Sequence, residues 1–175
     1  MKTDSFATII KALRNAKVRF LIAGGLAVNA HGYLRFTRDV DLVVELIPEN
    51  IIAAWNALLS IGYHPIVPIR PEQFAHERTR SYFAESKQMK VLQFYSDTHP
   101  QTPVDIFVTS PFPFDEEYDK APTKPFQGIP IRYVTLDTLI EMKRLAGRPQ
   151  DLADIDQLLF EQSQEHPTSD EQQPK

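Results

Sequence analysis

An α/β domain with a helical carboxyl end is predicted by three features of the sequence. Short β-branched runs alternate with stretches whose apolar residues recur at helical spacing. A glycine pair, Gly24-Gly25, falls between the first strand-like run and the first short helical pattern. The last third closes on two amphipathic stretches separated by Gly147 and Pro149.

The elements follow in order. Asp4 or Ser5 is positioned to cap a first helix, with Phe6, Ile9, Ile10 and Leu13 on one face and an end near Asn15. "VRFLIA" (Val18 to Ala23) reads as a buried strand, and the glycine pair turns the chain into a helical pattern reaching about His31. "DVDLVVEL" (Asp39 to Leu46) is a second strand, and Pro48 opens a helix that Gly62 follows. "YHPIVPI" (Tyr63 to Ile69) reads as a short edge strand broken by prolines, and Pro71 to Arg80 as a polar connection or short helix. "MKVLQFYS" and "TPVDIFVTS", joined by the turn-like "DTHPQ", read as a hairpin. Pro111 to Gln127, rich in proline and carrying "DEEYD", is expected to be an extended surface loop. "IPIRYV" is a short strand, followed by helices over Leu136 to Leu145 and about Pro149 to Phe160. The organisation expected is a core over 1–134, carboxyl-terminal helices packed on it over 135–162, and a disordered tail over 163–175.

A chain of 175 residues has the length of one ordinary domain. It has no cysteine, so thiol nucleophiles, disulfides and thiolate metal sites are excluded and the chemistry falls to carboxylates, histidines, lysines and hydroxyls. No apolar run approaches eighteen residues, and the amino terminus lacks the apolar core of a secretion signal, so a cytoplasmic protein without membrane association is expected. A net charge of -4 argues against a general nucleic-acid coat.

Asp39 and Asp41 are the unusual residues. Two apart on a strand, they project from one face while Val40 and Leu42 point into the core. Such a pair needs solvent, a shared proton or a cation. Mg²⁺ suits it, taking one or two carboxylates and completing its shell with water and phosphate oxygens. Gly24-Gly25 admits two readings, a tight turn or a place where phosphate meets free N–H groups at a helix amino end.

Together, "AGG", a spacer of 13 residues and "DVDL" resemble the signature of the nucleotidyltransferase superfamily related to DNA polymerase β. "RFTRDVD" is similar to the R-x-T-x-D-x-D form of small prokaryotic nucleotidyltransferases, including the abortive-infection AbiEii-type group and its stand-alone relatives. The resemblance implies the nucleotidyltransferase fold, a mixed twisted sheet flanked by helices with a helical extension. It also implies a third carboxylate on a neighbouring strand, for which Asp105 in "PVDIFV" fits. In that reading Asp39, Asp41 and Asp105 are catalytic and hold Mg²⁺ or Mn²⁺, and an NTP is the substrate. Gly24, Gly25, Arg35 and Thr37 would meet the nucleotide, with Arg38 a further candidate for nucleotide or acceptor.

"KRLAGRPQDLAD" resembles the family segment K-x₄-R-x₂-D-x₂-D, which implies that Lys143 contacts the nucleotide phosphates and that Arg148 either does the same or pairs with Asp151. Asp151 and Asp154, three apart at a helix start, are expected to favour the dipole and stay solvated. Leu136, Leu139, Ile140 and Met142 on one helix, and Leu152, Ile155, Leu158 and Leu159 on the other, are expected to pack inward. His31 is expected to be structural, and His64, His76, His99 and His166 lack metal-ligand spacing. Arg70, Arg78 and Arg80 read as a loose basic patch, solvated or else meeting an RNA or nucleotide backbone. The resemblance leaves the acceptor open among RNA or tRNA, protein and small molecule, and implies an antitoxin partner if the chain is a toxin–antitoxin component. The alternative is an inactive nucleotide-binding or partner-binding protein of the same fold.

Overall fold

The computed structural model describes residues 1–165. Helix α1 (Thr3–Asn15) buries Phe6, Ile9, Ile10 and Leu13 completely, each contributing about 2 kcal/mol of transfer free energy. Its cap differs from expectation: Lys2 is the N-cap residue, Asp4 lies in the first turn, and Ser5 is buried inside the helix with its Oγ 2.9 Å from His99 Nδ1.

Five strands form one mixed sheet in the order β1 (Phe20–Ile22), β2 (Val40–Val44), β5 (Val104–Phe107), β4 (Val91–Tyr95), β3 (His64–Pro65). Within this sheet the β2–β5 pair is parallel, in the register Val40↔Val104, Asp41↔Asp105, Leu42↔Ile106, and its other pairs are antiparallel. The expected hairpin is present as the antiparallel β4–β5 pair, and the proline-broken run is the edge strand β3. Asp105 therefore lies on a central strand.

Helix α2 (Gly24–Ala30) leaves β1 directly at the glycine pair, and α3 (Pro48–Ser60) starts on Pro48 as expected. Asn50 fastens α3 to the sheet edge by accepting from the Arg19 N–H at 2.8 Å and donating to the Arg19 and Glu45 carbonyls. Trp55 of α3 packs edge-on against Phe94 and tilted against Phe74, with centroids 4.9 and 5.9 Å away.

The stretch expected to be a polar connection forms two helices, α4 (Pro71–Ala75) and α5 (Glu77–Ser86). Here Arg80 departs from the solvated patch expected of it: it is buried, and its guanidinium donates to the Phe74, Ala75 and Leu46 carbonyls. Arg70 and Arg78 are exposed as expected.

The expected surface loop over 111–127 is replaced by α6 (Phe114–Lys120) and strand β6 (Thr123–Phe126), which pairs with β7 (Ile129–Arg132) in a separate ribbon. Three acidic residues in its first turn suit the helix dipole. Buried Glu117 then accepts from the Thr135 N–H at 2.6 Å and the Thr138 hydroxyl at 2.7 Å. Tyr118 lies between the Arg19 and Arg132 guanidinium groups, 4.6 and 4.5 Å from its ring centroid. Charge and aromatic contacts to distant residues thus override the proline signal.

Helix α7 (Leu136–Ala146) is capped by the Thr135 hydroxyl and ends on Gly147 at φ 63, a left-handed C-cap that suits glycine. Helix α8 (Pro149–Glu165) runs past the end expected for it, and the rest of the segment expected to be disordered lies outside the described residues. Leu139, Ile140, Ile155 and Leu158 are buried, whereas Leu152 and Leu159, expected inside, are exposed. Among the described residues no helix is long and apolar enough to cross a membrane.

Candidate active site

The β1–α2 turn and strand β2 meet at Gly24. Its φ is +59, and a Cβ placed there would stand 1.8 Å from Asp41 Oδ2. Glycine is required twice, by the left-handed backbone and by a carboxylate lying against it. The main chain reinforces this approach, since the Ala23 N–H donates to the Asp41 carbonyl at 3.0 Å. Gly25 is similarly closed in: a Cβ would meet Thr37 Oγ1 at 2.5 Å and an Arg35 guanidinium nitrogen at 3.0 Å. Asn29 of α2 holds that loop by pairing with both the N–H and the carbonyl of Arg35, each at 3.0 Å.

Asp41 and Asp105 sit side by side on the parallel strands, about 4.8 Å apart at the backbone. Neither they nor Asp39 forms a salt bridge among the described residues. Burial, then the charges of Asp105 and Asp39, pushes the Asp41 carboxyl up to about 6, with Arg148 and Lys143 offsetting part of this. Burial also raises Asp105, a rise the Gln93 hydrogen bond opposes and the Asp39 charge adds to. Gln93 Nε2 donates to Asp105 Oδ1 at 2.9 Å across the β4–β5 pair. Gln93 has no counterpart in the motif reading. Its signal was the period-2 alternation of "VLQFY", which sets a polar side chain on the Asp105 face.

Opposite the carboxylates, α7 and α8 supply a network of charges. Lys143 Nζ lies 3.2 Å from Asp151 and 2.6 Å from Asp154; Arg148 Nε lies 2.6 Å from Asp151; Arg35 Nε lies 2.8 Å from Asp154. Asp151 and Asp154 are thus buried ion-pair partners: the Arg148–Asp151 pair is one of the two roles expected of Arg148, whereas solvation was expected of both aspartates. Burial works against ionisation of Asp151, yet Arg148 and Lys143 hold its carboxyl below the usual range. Their spacing on one helical turn brings both toward Lys143, which capping alone does not reveal.

All nine candidate residues, Gly24, Gly25, Arg35, Thr37, Asp39, Asp41, Asp105, Lys143 and Arg148, line one cleft of about 760 Å³. His31 is outside this set. Its Nε2 lies 2.8 Å from the Val134 carbonyl and burial lowers its pKa, consistent with the structural role expected.

Among the described residues no three acidic or histidine side chains converge as a preformed metal cluster. The donor set nevertheless fits a hard divalent cation that completes its shell with water and phosphate. Asp41 and Asp105 are adjacent, all-oxygen donors, and the repulsion that raises Asp41 is what a cation would relieve.

This arrangement, a glycine turn against the D-x-D strand with a third aspartate on the parallel neighbour, belongs to a mixed sheet with the nucleotidyltransferase fold. Solved structures of that fold superimpose on most of the chain. ANT(2")-Ia, in complex with adenylyl-2"-tobramycin, has a TM-score of 0.60 at 14% identity, over 93% of this chain and 90% of its own. The lincosamide antibiotic adenylyltransferase LnuA, lincomycin-bound, gives 0.57 at 16%, over 90% and 96%. An antigenic nucleotidyltransferase-like protein from Paracoccidioides brasiliensis gives 0.50 at 17%, over 87% and 73%. No protein-family model matches the chain, and no curated protein matches it in sequence.

Proposed function

We propose that the chain is a metal-dependent nucleotidyltransferase of the DNA polymerase β-like superfamily, moving an NMP from an NTP to an acceptor hydroxyl and releasing pyrophosphate. The observation that carries this reading is Asp41. Its carboxylate lies against Gly24 and beside Asp105 with no protein cation paired to it among the described residues.

Asp39, Asp41 and Asp105 would hold Mg²⁺ or Mn²⁺, which when bound neutralises phosphate charge and lowers the pKa of a coordinated hydroxyl. Gly24 and Gly25 present backbone close to the phosphates, and Thr37 and Arg35 close the same wall. Lys143 and Arg148 bring positive charge toward the leaving pyrophosphate. Asp105, oriented by Gln93, receives the acceptor proton as the acceptor oxygen forms its bond to the α-phosphorus and the bond to the β-phosphate oxygen breaks. Residues 1–134 would form the catalytic core, with the helices of 135–162 completing its phosphate side. The R-x-T-x-D-x-D stretch supports the abortive-infection-type branch, for which growth arrest on expression is the test of a toxin role.

Purified protein incubated with α-³²P-labelled NTPs, Mg²⁺ and an acceptor panel of RNA, protein and small alcohols is expected to yield a labelled acceptor. The same incubation with Asp39→Ala/Asp41→Ala is expected to yield none. Identical labelling by both proteins would overturn the assignment.

A further inference from the structure

The sheet order gives the cleft a direction. From β1 and its glycine turn it passes across β2 with Asp39 and Asp41, then β5 with Asp105, to β4, which Lys90 precedes. The phosphate-binding candidates therefore cluster at the β1 side. The region beyond Asp105 is left for the acceptor, and its lining is Lys90, Val91, Phe107 and Pro111.

Three features of that lining restrict what it can take. Among the described residues five basic side chains line the cleft, and three of them, Arg35, Lys143 and Arg148, share the two carboxylates of Asp151 and Asp154. Arg38 and Lys90 are exposed, and neither has an ion-pair partner among the described residues. They bracket the carboxylate row: Arg38 lies three residues before Asp41, and the Lys90 carbonyl accepts from the Val108 N–H three residues beyond Asp105.

Among the described residues the only other carboxylate lining the cleft besides Asp39, Asp41 and Asp105 is Asp151, which is shared by Lys143 and Arg148. An ammonium group entering beyond Asp105 would find no free protein carboxylate once the metal is held, and a desolvated unpaired charge is costly. The remaining wall at this end of the cleft is apolar, made of Val91, Phe107 and Pro111. Apolar side chains lining a cleft suit an apolar ligand body.

Resting on the nucleotidyltransferase reading, we infer that the acceptor is a small alcohol with an aromatic or otherwise apolar body and an anionic group facing Lys90, and that polyamine acceptors are excluded. Lys90 selects the acceptor by charge and takes no part in bond making.

The test uses the full chain saturated with Mg²⁺ and the non-transferable analogue α,β-methylene-ATP. It is titrated by calorimetry with a matched series: phenyl glucoside 6-phosphate, phenyl glucoside, phenyl 6-amino-6-deoxyglucoside and tobramycin. Affinity is expected to fall along the series by at least tenfold from the phosphate to the first amine. Lys90→Glu is expected to abolish or reverse that order without changing the affinity for the nucleotide analogue. Equal or tighter binding of either amine, no binding of the phosphate, or an unchanged order in Lys90→Glu would overturn the inference. Failure of the wild type to bind any of the α,β-methylene analogues of ATP, GTP, CTP and UTP with Mg²⁺ would instead sink the nucleotidyltransferase reading itself.

Discussion

At the scale of single residues, the decisive relation is between Gly24 and Asp41. Strand β2 delivers a carboxylate to a point where only a residue without Cβ leaves room for it, and burial plus two neighbouring aspartates push that carboxyl up to about 6. The consequence for stability has a definite sign. Between about pH 4 and 6 the folded protein keeps a proton on Asp41 that the unfolded chain, with an ordinary aspartate value of 3.8, has released. Folded protein therefore binds more protons, and the stability this proton confers is full below about pH 4 and lost as pH rises through 6. The size is on the order of 2 kcal/mol once the remaining solvent access of the site is allowed for. Thermal melts in EDTA are expected to show this decline. Mg²⁺ is expected to raise Tm much more at pH 7.5, where Asp41 is ionised, than at pH 5. An equal Mg²⁺ effect at both values would mean that Asp41 does not take part in the cation site.

At the scale of elements, α8 is tied to the glycine turn through charge. Asp154 is fully buried and its two oxygens meet Arg35, Lys143 and Gln150, so one side chain joins α8, α7 and the loop before β2. Asp154→Asn leaves Lys143 and Arg35 facing each other with less negative charge. Removing one partner of a buried ion pair costs about 3–5 kcal/mol, which for a chain of this length lowers Tm by roughly 10 °C. A merely structural role ends there. If Asp154 positions the phosphate-binding cations, the variant assayed well below its Tm is expected to raise KM for the NTP several-fold with little change in kcat. An unchanged KM would confine Asp154 to stability. Element boundaries show where local signals suffice. Pro48 and Gly147 delimit helices by their own backbone preferences, so α3 and the end of α7 were legible in the sequence. Helix α6 was not, because its stability comes from Glu117, Tyr118 and Asp115 meeting Thr135, Thr138, Arg132 and Arg19, partners between 14 and 96 residues away.

At the scale of the whole molecule, the order of the sheet decides function. The pattern of a glycine pair, thirteen residues and D-x-D was visible because its parts are close in sequence and each needs an unusual residue. Asp105 could be nominated as an acid in an apolar run, but its pairing opposite Asp41 required the β2–β5 crossover. Asp151 and Asp154 were visible as letters, yet solvated and ion-paired carboxylates look alike until α7 and α8 fold against one another. That dependence makes the carboxyl-terminal helix a test of the architecture. Ending the chain at Gly147 removes Ile155 and Leu158, about 2 kcal/mol of burial each, and strips Lys143 of both carboxylates, a further 3–5 kcal/mol. The sum, about 7–9 kcal/mol, matches the total stability of an ordinary domain. The truncated chain is therefore expected to lose its cooperative melt and its near-UV circular dichroism at 25 °C, along with binding of Mg²⁺-NTP. A chain of 147 residues that melts within a few degrees of the full protein and binds nucleotide as well would show α8 to be an appendage. The candidate cleft would then have to be rebuilt from residues 1–147 alone.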